Sequence, residues 1–397
     1  MYDIIVVGAR CAGSPTAMLL AQKGYRVLLV DRATFPSDIM STHIIHYPGV
    51  KRLKKWSLLE SVMATNCPPN NKKSFDINGH TLAGYPPPVD DVITVAPRRK
   101  VLDKILVDAA VAAGAELREG FIVNEFLVDE RRVIGIRGRT QGGTVVKEHA
   151  SIVVGADGKH SRLAHTVAAS VYNDQPPQAF YYYTYWSGLP ADGLEVFWRH
   201  HRFVLAIPTN DDLTCLVVGW PHSQFHTFRA DIEGSYLKTL EIAPRIEEYV
   251  RRGKREERFL GTADLPNFYR KAYGPGWALV GDASLTEDPL SGHGIMNAFR
   301  DAELLANAID TGFSGRQPLD TALAEYEHRR NDASFAEYEG NWKGAQLEGW
   351  DTPEKIRLFA ALRDNPEEAT RYFAASAYLT SREEYFAPEN IERIITA

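Results

Sequence analysis

The stretch Trp277-Ala278-Leu279-Val280-Gly281-Asp282-Ala283, with Asp288-Pro289-Leu290-Ser291-Gly292-His293-Gly294-Ile295-Met296-Asn297 after it, decides the fold. A short apolar run bounded by glycine reads as a buried parallel strand. Asn297-Ala298-Phe299-Arg300-Asp301-Ala302-Glu303-Leu304-Leu305-Ala306 reads as the helix that the glycine pair opens. Asp282, at the end of the strand, can accept hydrogen bonds from a polyhydroxyl chain. The glycines let backbone N–H groups approach a ligand, and the helix N-terminus adds partial positive charge. A flavin, with its sugar-like chain and a ring that becomes anionic, suits such a site.

The N-terminus supplies the other half. Asp3-Ile4-Ile5-Val6-Val7 reads as a strand, and Gly8-Ala9-Arg10-Cys11-Ala12-Gly13 as the turn after it. A helix follows through Met18 and Leu20 and stops at Gly24; a second strand, Tyr25 to Val30, ends at Asp31. Strand, glycine turn, helix, strand and acid stand in the order of a dinucleotide-binding unit, with Asp31 near the ~20-residue spacing of a ribose-binding acid. The middle glycine of that fingerprint is Arg10 here. Either its guanidinium reaches the pyrophosphate or a ribose, or the turn shifts and Arg10 points into solvent.

With 397 residues, the chain is long enough for two or three domains. A net charge of −6 with no basic tract argues against a nucleic-acid partner. The 3 cysteines, Cys11, Cys67 and Cys215, are scattered and form no C-x-x-C pair, so neither a disulfide framework nor a zinc site is expected. His222 and His226 have metal-like spacing but lack the Glu of a His-Glu-x-x-His motif, so no metal is expected. The first strand leaves no room for a signal peptide, and no apolar run reaches ~18 residues. The expectation is a cytoplasmic protein without stable membrane insertion; its oligomeric state is left open.

Residues 66–97, rich in proline (Cys67-Pro68-Pro69, Tyr85-Pro86-Pro87-Pro88), read as an excursion out of the first layer. A helix from Val101 to Ala113 stops at Gly114. Strand-like runs at 121–128, 132–138 and 144–148 read as a meander, before another buried strand, Ser151-Ile152-Val153-Val154, ends in Gly155-Ala156-Asp157-Gly158. Between 176 and 260, runs such as Phe180-Tyr181-Tyr182-Tyr183-Thr184-Tyr185-Trp186 and Phe203-Val204-Leu205-Ala206-Ile207-Pro208 predict an antiparallel sheet. Period two puts Tyr181, Tyr183 and Tyr185 on one face and Phe180, Tyr182 and Trp186 on the other. One face is expected to pack against helices. The other, with Phe203 and Leu205, is a candidate substrate wall, although core packing alone would also account for each aromatic there. The run Arg251 to Arg258 mixes signs and reads as a solvated helix end or turn. Residues 336–397 carry apolar positions at helical spacing and read as helices packed on this sheet.

Gly8-x-x-x-x-Gly13 with Asp31, Arg99-x-x-Leu102, Gly155-Ala156-Asp157-Gly158, and Gly281-Asp282 with Pro289 and Gly292-x-Gly294 resemble the motifs of the para-hydroxybenzoate hydroxylase-like flavoproteins. That group includes aromatic hydroxylases, flavin-dependent halogenases and geranylgeranyl reductases. The resemblance spans residues 1 to about 330. It implies an α/β fold: an FAD-binding Rossmann-like domain of glutathione reductase type, with an inserted antiparallel β-sheet substrate domain and C-terminal helices. The expected boundaries are 1–65, 98–175 and 261–335 for the FAD-binding domain, 66–97 and 176–260 for the substrate domain, and 336–397 for the helical segment.

By the same resemblance, Gly8 and Gly13 hold the FAD pyrophosphate and Asp31 the adenosine ribose; Arg10, where the family has glycine, and Arg32 are candidate cofactor contacts beside them. Arg99 contacts the cofactor; Asp157 and Gly158 lie near the pyrophosphate, in a segment also linked to NAD(P)H. Asp282 binds the ribityl chain. Pro289 lies beside the isoalloxazine, and the N–H groups from Gly292 through Gly294, Ile295, Met296 and Asn297 face its N1 and C2 carbonyl. His293 stands where glutamine is common. With Pro289, His43 and His46 it makes up the residues expected at the reacting ring. His43 and His46 are candidates to position or deprotonate a phenol, with loop packing as the alternative. Phe203 to Pro208 lacks both tryptophans of the Trp-x-Trp-x-Ile-Pro halogenase motif, which argues against halogenation. Gly281-Asp282, where geranylgeranyl reductases carry Gly-Glu, favours a hydroxylase. The implied reaction uses NADPH or NADH and O2, passing through a flavin C4a-hydroperoxide to a small aromatic substrate. A reductase acting on an alkene or carbonyl is the alternative, and a non-catalytic hydrophobic-ligand binder a third.

Overall fold

The computed structural model describes residues 1–87 and 92–396; Pro88 of the proline run lies outside them. The apolar runs at 2–7, 27–30 and 277–279 become neighbouring strands of one sheet. Its order is Tyr273–Gly274, Trp277–Leu279, Val145–Gly155, Tyr2–Val7, Val27–Val30 and Glu116–Arg118. All but the first strand are parallel. Tyr2–Val7 sits centrally, Ile4 facing Val27 on one side and Ile152 on the other. A strand covered on both faces has no polar side to show, which is why its sequence does not alternate. Ile4, Val6, Val27 and Leu29 pack under the helices Gly13–Gln22, Arg99–Ala112 and Gly294–Phe313. Ile5, Val7, Leu28 and Val30 pack under the meander, against Phe121, Phe126 and Ile136.

The third strand of that meander and the buried strand after it are one element, Val145–Gly155. Lys147, Glu148 and His149 look like a polar break. They are the pleated half of a strand that pairs antiparallel with Arg132–Arg139 and then enters the parallel layer.

The second sheet runs Lys254–Arg255, Ala179–Ser187, Thr214–Pro221, Arg202–Pro208, Leu194–Arg199, Lys73–Ile77 and His80–Gly84, and Leu260–Thr262 also pairs with Ala179–Ser187. The stretch 66–97 therefore contributes a hairpin. Its turn is Asn78-Gly79, with φ of 51° and 86°, a pair suited to a tight two-residue connection. The hairpin joins the sheet through a parallel pairing of Lys73–Ile77 with Leu194–Arg199. Of the mixed-sign run, Arg251 and Arg252 end a helix and Lys254–Arg255 forms an edge strand.

The two faces of this sheet separate as period two requires. Phe180, Tyr182, Trp186 and Trp220 face helices between 225 and 252, packing on Phe228, Tyr236 and Ile246. Tyr181, Tyr183, Tyr185, Phe203 and Leu205 face the other way, with Phe75 and Ile77. That face is covered by Ile44 and Ala96 and by C-terminal residues such as Leu358, Phe359, Phe373 and Tyr385. The C-terminal segment forms helices Pro353–Asp364, Pro366–Ser376, Arg382–Tyr385 and Pro388–Thr396.

Candidate active site

The turn after the first strand leaves no room for a side chain at either of its glycines. Gly8 has φ of 105°, and a Cβ there would lie 2.3 Å from the Ala156 carbonyl oxygen; one at Gly13 would lie 1.7 Å from that of Gly8. Asp31 accepts from the Ala9 N–H at 2.7 Å and the Ala33 N–H at 2.8 Å. Its carboxylate keeps further lone pairs for a ligand hydroxyl. Arg32 is exposed, and with Ala33, Ser37, Gly120 and Gln141 it lines a cavity of about 600 Å³.

Arg10, partly buried, is held by neighbours within the protein. It donates to Asp103 at 2.6 Å and to the Ser37 hydroxyl at 3.0 Å. Arg99 donates to the same carboxylate at 3.0 and 3.1 Å, and the Cys11 thiol reaches it at 3.4 Å. Asp103 is completely buried, so one carboxylate fixes two guanidiniums beneath the dinucleotide turn. The thiol of Cys11 is pushed well up by burial. Sequence reasoning missed Asp103; the only local signal was its position four residues after Arg99.

Asp157 accepts from the Arg162 N–H at 2.8 Å, and its other oxygen is buried without a partner. Gly158 follows with φ of 79°. Asp282 is exposed and stands within electrostatic reach of Arg99. The helices Gly13–Gln22 and Gly294–Phe313 have no side-chain N-cap bond and no acid in their first turns. In the first, the Ser14 and Thr16 N–H groups already donate to the Arg10 and Ala12 carbonyls, so it is the N–H groups ahead of Asn297 in the second that an anion would meet. The close-packed glycines of the first turn, the open N-terminus of Gly294–Phe313 and acids with spare acceptor capacity fit a dinucleotide carrying a polyol chain.

The second half of the site is the Pro289–Ser291 turn. Gly292 has φ of 72°, and a Cβ there would meet Ile44 at 3.1 Å, whereas Gly294 has open space beside it. Ile295 and Met296 are buried, and Asn297 donates to Glu287 at 2.7 Å. His293 turns away from the open glycine: its Nδ1 is 2.7 Å from Glu337, and its Nε2 meets the Tyr378 hydroxyl. His46 hydrogen-bonds the Ser291 carbonyl at 2.8 Å and sets its ring edge-on to His293. Burial holds its pKa well below the usual range, and its Nδ1 has no partner.

His43 lies over the aromatic face. Its backbone is left-handed, φ 64°, its Nε2 is 2.5 Å from the Tyr185 hydroxyl, and its Nδ1 is buried without a partner. Desolvation pushes its pKa down to about 3, so the ring is neutral. Arg98, held by Asp38 and Glu257, lies over the Tyr185 ring at 4.2 Å. Tyr183 accepts from the Ser41 N–H at 3.3 Å. Tyr181 donates to Asp288 at 2.8 Å and packs edge-on against Phe203, with Leu205 buried nearby. Burial pushes Asp288 up to about 7. Lys73, buried on the same face, is a second residue that sequence reasoning missed. Among the described residues no three His, Cys, Asp or Glu side chains could hold a metal ion, and no helix is long and apolar enough to cross a membrane.

Residues 1–337 match the family described as an FAD binding domain. The chain belongs to that family. It is an FAD-dependent oxidoreductase. Digeranylgeranylglycerophospholipid reductase 2 of Methanopyrus kandleri is 26% identical over 371 residues, covering 86% of this chain and 82% of that protein. A squalene epoxidase of Saccharomyces cerevisiae is 23% identical over 465 residues, covering 96% and 88%. The myxobacterial chondrochloren halogenase CndH superposes with a TM-score of 0.79 at 21% identity, covering 99% of this chain and 95% of that one. PqsL of Pseudomonas aeruginosa, solved in complex with 2-aminobenzoylacetate, superposes at 0.73 with 20% identity, covering 96% and 100%. At such identities the two structures share the fold.

Proposed function

We propose that this protein is a monooxygenase that hydroxylates a small aromatic molecule, using NADPH or NADH and O2. The carrying observation is the Tyr181–Asp288 hydrogen bond. It ties the aromatic face of the second sheet to the turn holding Pro289, Gly292 and Gly294, so a ring bound at that turn would face Tyr181, Tyr183, Tyr185, Phe203 and Leu205. Gly8, Gly13, Arg99, Asp157 and Gly158 would surround the FAD pyrophosphate, with Arg10 steadying Arg99 through Asp103. Asp31 and Arg32 would hold the adenosine end and Asp282 the ribityl chain. The N–H groups from Gly292 to Asn297 would meet the ring edge. Bound FAD supplies the redox chemistry: reduction by the nicotinamide and activation of O2.

The chain's own residues supply the rest. The aromatic face is buried under Ile44, Ala96 and the C-terminal helices, so a substrate would enter by displacing part of that cover, and the same cover excludes water, which protects oxygen transfer from wasteful decay. A flat aromatic substrate would stack or pack edge-on there. His43, neutral with a free Nδ1 and held too weakly basic to take up a proton, is suited to position a phenol by accepting its hydrogen bond, and Tyr185 and Arg98 fix its orientation. His46 and His293 brace the Ser291 turn beside Pro289, positioning it. The test is a substrate screen by NAD(P)H consumption with 18O2: the product should gain one oxygen, labelled from the gas. The M. kandleri relative favours a second reading, reduction of an alkene. Anaerobic turnover with stoichiometric NAD(P)H oxidation and no label in the product would establish it and overturn hydroxylation.

A further inference from the structure

We infer that Lys73 anchors a carboxylate carried by the aromatic substrate; the inference rests on the aromatic face being the substrate wall. The strand registers place it there. Phe75 stands opposite Val196, Val196 opposite Leu205, Leu205 opposite Val217 and Val217 opposite Tyr183. Directly paired residues share a face, and so do residues two apart, so Lys73 faces the same way as Tyr183 and Leu205. It is 1% exposed. Two other charged groups are buried against that face, and both have partners: Arg98 pairs with Asp38 and Glu257, and Asp288 accepts from Tyr181.

Its ammonium group makes no hydrogen bond and no ion pair among the described residues. Its strand neighbours are Leu194 and Gly84, and a Cβ on Gly84 would strike the Phe373 ring at 2.6 Å. The charged and titratable groups facing it are His46, with His293 behind, and Arg382. The carboxylate among those groups, Glu337, is committed to His293 at 2.7 Å and Arg382 at 3.4 Å. With almost no solvent and no partner among the described residues, an ammonium here is in a costly state unless a partner arrives. The unpartnered Nδ1 of His46 beside it is an independent sign that something polar belongs there. Desolvation and Arg382 bring the amine down to about 7, so an arriving anion would recruit a proton to it. Lys72 makes the contrast: one residue earlier, it pairs with Asp192 at 2.6 Å on the surface.

The experiment is titration calorimetry on the FAD-loaded full chain with matched pairs, benzoate against benzamide and indole-3-acetate against indole-3-acetamide. Wild type should favour each carboxylate at least ~10-fold, with heats in two buffers at about pH 8, a unit above the amine pKa, reporting proton uptake approaching one per ligand. Lys73→Met, similar in volume, should lose both the preference and the uptake yet bind the amides as before; Lys73→Arg should keep the preference. A Met variant that keeps the preference overturns the assignment. So does a wild type without preference or proton uptake, a result that stands even if the variant fails to fold. Sodium bromide titrated alone separates a substrate carboxylate from a free inorganic anion: bromide binding without carboxylate preference assigns the site to the free ion and overturns the anchor. Amides that bind and are hydroxylated while carboxylates do no better would sink the Lys73 assignment and leave the monooxygenase reading standing.

Discussion

Replacing Asp103 by asparagine keeps the shape of its side chain and removes the charge that Arg10 and Arg99 share. The carboxylate is fully buried, and the two arginine side chains are 21% and 12% exposed. Neither guanidinium can fully rehydrate in place. Breaking a buried ion pair from one side costs roughly 3–5 kcal/mol, and the partial exposure of Arg10 favours the lower end. An unfolding entropy of ~2.1 cal/mol/K per residue over 397 residues gives ~0.8 kcal/mol/K. Asp103→Asn should therefore melt roughly 4–6 °C below wild type if the chain unfolds as one unit. Arg10→Met leaves the Arg99–Asp103 pair intact and should cost only ~1 kcal/mol, the scale of a partly exposed pair. The double variant should lose less than the sum of the singles, because the second change removes a cation already left unpaired. Scanning calorimetry of the four proteins, with FAD titration alongside, reads the coupling. An Asp103→Asn variant melting within ~1 °C of wild type, with additive effects, would refute a shared buried carboxylate as the brace of the turn.

Asp282→Ala should weaken FAD binding by ~1.5–3 kcal/mol, the value of hydrogen bonds to a charged acceptor, or about 10- to 150-fold by flavin titration; an unchanged Kd removes Asp282 from the cradle. For Asp288, burial raises the folded pKa to about 7, above the ~3.9 of an unfolded chain. Stability from this site is full below pH ~4 and is lost as pH rises through 7, up to ~4 kcal/mol in all. Asp288→Asn, neutral throughout, should gain on wild type as pH rises from 5 to 8 in thermal melts; a constant difference would mean Asp288 is ionised when folded. Truncation after Gly344 would uncover Phe75 and its neighbours, which pack on Phe373 and Phe359, and should yield aggregated protein or a much lower Tm. Unchanged melting and turnover would show the tail to be dispensable.

The parts legible in the sequence are those whose signal is local. The runs at Ile4, Leu28 and Ala278 are apolar on both faces between glycines, and the alternation of Phe180 to Trp186 assigns each ring to its side. The hairpin at 73–84 carried its Asn78-Gly79 turn in plain view, but the prolines around it read as loop. Its sheet partner at 194–199 is too distant for any pattern to announce. Arg10 shows the same limit, since what decides its direction is a carboxylate 93 residues away. Lys73 follows Lys72, and two adjacent lysines read as surface; strand alternation sends them to opposite sides.

The parallel pairing of Lys73–Ile77 with Leu194–Arg199 bears on how the chain is made. At ~5–20 residues per second, the ribosome delivers the first strand about 6–24 s before its neighbour. Phe373, which covers Gly84 in the finished protein, comes later still. Through that interval the hairpin's apolar side, Phe75, Ile77 and Leu82, has neither sheet nor helix to lie on. Nascent chains stalled short of residue 194 are therefore where a holding chaperone or a protease would engage this protein.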